Sequence, residues 1–154
     1  MSVTITISGN REYFEANGGI PMVEYDCQTC EFEGPDPACV ECLPYGGKGK
    51  VRLEALPFNG NICSSNLYRI WALLGLDPET DGDCYGQIDG ADLLERLKKA
   101  DPMRLVQETV EATGSGGCHV VYCGTDEDAA RNYIRFLTEM AEEAIRRDKL
   151  IWWG

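Results

Sequence analysis

Val3, Ile5 and Ile7 alternate with Thr4, Thr6 and Ser8. This period of two is the pattern of a half-buried strand. Asn17-Gly18-Gly19 marks a turn. Met22 to Asp26 reads as a second short strand, and Val51, Leu53 and Ala55, alternating with Lys50, Arg52 and Glu54, as a third. Between these two lies a Pro- and Gly-rich stretch that holds four cysteines.

Beyond residue 58 the period changes. Leu67, Ile70, Trp71 and Leu74 fall at helical spacing after Ser64 or Ser65, either of which can cap. Gly75 supplies a stop, with Pro78 shortly after. A second helix is expected after Asp89, burying Leu93, Leu94 and Leu97. Asp101-Pro102 reads as an N-cap followed by proline at the first helical position. It predicts a third helix that buries Met103, Val106 and Val110 and ends near Gly114. Gly114 to Gly117 leads into a short β-branched run, Cys118 to Cys123, which reads as a buried strand. Thr125 opens the clearest helix, with Asp128 at the capping-box position. Its core stripe is Tyr133, Leu137, Met140, Ala144 and Ile145, with Ala130, Ile134 and Ala141. Acids at its start and Arg146, Arg147 and Lys149 near its end suit the helix dipole. Leu150 to Gly154 is a last strand or a docking tail.

The predicted class is therefore α+β. A β-rich N-terminal part, residues 1–57, carries a cysteine knuckle. About four helices packed on a small sheet follow in residues 58–154, the whole forming a single domain. The length, 154 residues, permits one real core. Fourteen basic against 26 acidic residues leave a net charge of −12. That balance argues against a non-specific nucleic-acid binder, because phosphate contacts need clustered Lys and Arg. The N-terminus lacks the basic and apolar regions of a signal peptide. No apolar run approaches the ~18 residues of a membrane span. A reducing cytoplasm is the expected compartment, and there paired cysteines read as metal ligands rather than disulfides.

The strongest chemical signal is Cys27-Gln28-Thr29-Cys30 followed by Cys39-Val40-Glu41-Cys42. Each turn lets two thiolates converge on one ion, and Gly34, Pro35 and Pro37 allow the pairs to meet. Four sulfurs at ~2.3 Å would close the tetrahedral shell of Zn²⁺ and leave no position for water. The expected role is structural. The same ligands also suit iron. The run CVECLPYGGKGKV at 39–51 resembles the CxxCxGxG modules of DnaJ-type co-chaperones. The resemblance implies a zinc-held hairpin, not chaperone activity, since no J-domain signature is present. The run Asn61 to Asn66 before Leu67 to Leu76, with Gly86 to Leu97 and Tyr133 to Gly154, resembles small uncharacterised proteins of bacteriophages and their hosts. That resemblance implies a bacterial host cytoplasm.

Cys63, Cys84, Cys118 and Cys123 remain, with His119 the sole histidine. Any Cys–His catalysis must use His119. On a strand Cys118 would point away from it, so Cys63, Cys84 or Cys123 would have to serve. The stretch 81–92 resembles an EF-hand loop, with Asp81, Asp83, Asp89 and Asp92 at acidic positions, but Tyr85 removes one oxygen ligand. GSGG at 114–117 lacks the Gly-Lys-Ser/Thr ending of a phosphate loop and reads as a connector. Trp152 and Trp153 would face opposite ways on a strand, leaving one as a binding anchor.

Two functions compete. One is a zinc-held interaction protein, such as a phage-encoded modulator of a host protein, that docks on a basic protein surface. Its acidic candidates are Asp77, Glu79, Asp81, Asp83, Glu139, Glu142 and Glu143. The alternative is a small hydrolase or transferase that uses His119 with a cysteine or carboxylate.

Overall fold

The computed structural model describes residues 2–27, 44, 49–76, 85–107, 110–113, 119–122 and 124–154. In chain order these form β1 (Ser2–Ile7), α1 (Asn10–Ala16), β2 (Met22–Asp26), β3 (Lys50–Glu54), β4 (Asn59–Cys63), α2 (Ser64–Leu73), β5 (Gly86–Asp89) and α3 (Gly90–Leu97). A 3-10 turn comes next at Pro102–Leu105, then β6 (Val110–Thr113), β7 (His119–Tyr122), α4 (Glu127–Arg147) and β8 (Leu150–Trp153). The class is α+β with antiparallel strands.

The chain divides into two compact units. One is Arg11–Pro57. The other joins residues up to Asn10 with Phe58–Gly154. β1 thus belongs with the unit that holds the later part of the chain.

The larger unit is built on a four-stranded sheet in the order β4-β1-β8-β5. Val3, Ile5, Ile7, Ile62, Ile88 and Ile151 line its inner face and are buried. Against them pack Leu67, Ile70, Trp71 and Leu74 from the α2 segment, Leu93 and Leu97 from α3, and Leu137, Met140, Ala141 and Ala144 from α4. Alternation has thus put these six apolar strand positions on one side, where the helical stripes cover them. Two glycines make room for rings on this inner face. A Cβ on Gly60 would collide with Phe136, and one on Gly86 with Trp153. Trp153 in turn lies 4.8 Å, centroid to centroid, from the buried Trp71. The opposite face carries Thr4, Thr6, Asn59, Asn61, Gln87 and Trp152, none of them buried.

Helix ends obey local chemistry. Asp89 accepts from Ala91 N and Asp92 N to start α3. Asp126, not Thr125, caps α4 by accepting from Ala129 N. Gly75 takes positive φ beyond α2, as a stop signal should. The N-cap of α2 is Cys63, without a side-chain cap bond, rather than either serine.

The third predicted helix does not form. Asp101 does cap, accepting from Met103 N, but it starts only the 3-10 turn. Gln107 then bridges Thr125, and Val110–Thr113 pairs with His119–Tyr122 as a hairpin. Leu105, not Val106, is the buried residue. Three β-branched positions at 106, 110 and 113 and a partner strand outweigh the start signal. The fourth helix is instead α1, whose mixed NREYFEA pattern carries no buried stripe.

In the smaller unit, β2 and β3 form an antiparallel ribbon with Val23 opposite Leu53, Glu24 opposite Arg52 and Tyr25 opposite Val51. Arg11 of α1 pairs with Glu15 at 3.2 Å and with Glu54 of β3.

Candidate metal centre

Pairing in the ribbon runs from Ala55 N donating to Pro21 O, at 2.8 Å, to Cys27 N donating to Gly49 O, at 2.7 Å. Lys50 Nζ also reaches Asp26 Oδ1 at 2.5 Å, and this contact raises the lysine pKa. The two strands are therefore held together up to the point where residues 28–48 leave and return. Cys27 stands at that point. Its residue is 8% exposed, while every residue of β2 before it is exposed. A buried thiol is thus placed at the mouth of the stretch that contains the other three.

Cys30, Cys39 and Cys42 lie outside the described residues, as do Cys84, Cys118 and Cys123. Cys63 lies in the other unit, with Sγ 3.2 Å from Ser65 Oγ. His119 begins β7 opposite Thr113. Among the described residues, no three His, Cys, Asp or Glu side chains converge to hold an ion.

The calcium pattern loses donors where it can be traced. Gly86–Asp89 is a strand paired with β8. The Asp89 carboxylate caps α3, and Asp92 pairs with Arg96 at 2.9 Å. Loop positions 9 and 12 are thereby engaged elsewhere. Asp81 and Asp83 lie outside the described residues, with Asp77 and Glu79.

On α4, Glu139 and Glu142 are exposed. Glu143 is mostly sheltered and paired within its own helix. It bonds Arg146 and, at 2.6 Å, Arg147 Nε, and the Arg146 bond first, with Arg147 behind it, holds its pKa low. Arg147 is the buried hub of this network, with a side chain 4% exposed. Its Nη1 donates to Asn10 Oδ1 at 2.8 Å, and its Cζ sits 5.4 Å from the centre of the Phe58 ring. Sequence alone assigns Arg147 to the helix dipole. Asn10 and Phe58 are too distant in sequence for a local pattern to reveal the partnership.

A second buried polar group carries no local signal either. Asn66 donates from Nδ2 to Tyr133 Oη at 3.3 Å. Its Oδ1, like Trp71 Nε1, has no partner among the described residues. Arg96 closes the end of α2 by donating to Leu74 O and Gly75 O at 3.0 and 3.1 Å.

No helix among the described residues is long and apolar enough to cross a membrane. Compared with protein families, with curated proteins and with solved structures, the chain matches none.

Proposed function

We propose that the chain is a small acidic zinc-binding protein that acts by docking on a basic protein surface in a reducing cytoplasm. The observation that carries this reading is the ribbon. It brings residues 27 and 49 into backbone contact at the mouth of a long stretch, and the first cysteine is buried there. Closing such a stretch costs entropy that grows with its length, and a bound ion offsets that cost. Cys27, Cys30, Cys39 and Cys42 would hold Zn²⁺, which would supply cross-linking rather than Lewis-acid chemistry, because a four-sulfur shell has no open position. Four thiolates and one dication would move the formal charge from −12 to −12 − 4 + 2, or −14. A body this negative steers toward cationic surfaces. The phage-encoded modulator of a host protein is the biological form this reading takes.

Metal analysis of protein purified under reducing conditions tests it. About one zinc per chain is expected, released by a thiol-blocking mercurial in step with four thiols. Protein without zinc or iron, folded and stable, refutes the reading.

A further inference from the structure

Two neighbouring rows of side chains on the outer face of the four-stranded sheet are uncharged, on a strongly charged protein. In one, Asn59, Thr6, Trp152 and Gln87 stand in register across the four strands. In the next, Asn61 lies opposite Thr4, whose backbone exchanges two hydrogen bonds with Gly154, at 3.1 and 3.0 Å. Charged residues make up 26% of the chain, yet neither row contains one.

Two aromatic rings rise from this face. Trp152 is 41% exposed and Tyr85, beside Gly86, is 62% exposed. They meet above Gly154, since a Cβ built on that glycine would collide with Tyr85 Cδ1 and the far edge of the Trp152 indole. A bare polar sheet face is ordinary for an antiparallel sheet. Two large rings that converge on such a face while staying exposed are not, because each forgoes part of the burial that stabilises apolar surface.

We infer that this face is a binding platform for a neutral glycan. Aromatic π-faces carry partial negative charge, and a sugar ring presents a face of C–H bonds polarised toward positive. Thr4, Thr6, Asn61 and Gln87 both donate and accept, as hydroxyl-rich ligands require. At ~4.8 Å between strands, the platform spans about 14 Å, room for several sugar units in a row. Charge decides between ligand classes. Phosphate- or sulfate-bearing chains find no cation in either row, and a basic peptide finds no carboxylate there; Asp89, one row on, spends its carboxylate capping α3. The platform belongs to the larger unit and does not depend on zinc.

The test is a printed array of neutral glycans, with calorimetry on the glycans that bind. The expected result is binding of at least one neutral glycan, with an affinity unchanged between low and physiological salt. Trp152→Ala and Tyr85→Ala should each weaken it at least tenfold with the melting temperature unchanged. Should Trp152→Ala fail to fold, Tyr85→Ala alone carries the test, its side chain being the more exposed. Absence of binding across the array at millimolar glycan overturns the inference, and so does binding that both variants retain. Concentration-dependent dimerisation that Trp152→Ala abolishes also overturns it, by assigning the face to a second copy.

Discussion

Arg147 is tied to three partners at once: a carboxylate, an amide oxygen and an aromatic face. Deleting one member of such a buried pair costs more than its net contribution, because the other charge is left uncompensated. Here Glu143 keeps its bond to Arg146, but Asn10 Oδ1 loses this donor, so Arg147→Met should lower stability by about 1–3 kcal/mol, measured by urea unfolding at neutral pH. Glu143 carries the pH signature of the same network. Its carboxyl ionises more readily in the folded chain than in the unfolded one, chiefly through Arg146. The stabilisation is present above the unfolded value of about 4.3 and drains away as pH falls through the lower folded value. Melting temperature should fall over that acid window in the native protein and fall less in Glu143→Gln. Gly90 offers a steric counterpart. A Cβ there would sit 2.8 Å from Ala141 O and 3.2 Å from Ala144 Cβ, where α3 meets α4. Gly90→Ala should cost about 1–3 kcal/mol, because a backbone oxygen cannot rotate aside.

Elements with a one-sided apolar pattern are legible in the sequence. The stripe of α4 and the alternation of β1 are examples, since each states its period over several turns or pleats. Ile145 shows the limit, exposed although it sits on the stripe. Capping signals are legible as starts but not as lengths. Asp101 caps as expected, yet the chain beyond it is shaped by the pairing of residues 110–113 with 119–122, which no local window contains. The capping aspartate of α4 is a cleaner case, and Asp126→Ala should destabilise by about 1 kcal/mol in thermal or urea melts. The candidate metal site is legible as spacing, because CxxC is a local motif. The burial of Cys27 is not, since the exposed run of β2 before it gives no sign of it. If the four thiols share one ion, Cys39→Ser should lose metal and loosen the smaller unit together. Amide exchange in residues 22–26 and 50–54 should accelerate in that variant while β1 and α4 stay protected.

At the scale of the molecule, charge and topology act separately. Association with a basic protein should slow as salt rises from low to physiological strength, where the Debye length shortens toward ~8 Å. Reversing the exposed Glu139 and Glu142 to lysine should slow it further, with stability nearly unchanged. Topology bears on how the fold is reached. The two inner strands of the main sheet, β1 and β8, lie side by side, although nearly the whole sequence separates them. A ribosome delivers β1 first and β8 last among the described strands. While synthesis continues, Ile5 and Thr6 have β4 on one side and an open edge on the other. Among the described strands, β5 has no neighbour until β8 arrives to pair with it. Contacts this distant in sequence slow folding and extend the interval in which apolar edges stay exposed. Nascent chains halted before Leu150 should be easily digested by protease and held by chaperones. The sheet closes in one late step, when a single short strand slots between two that have been waiting for it.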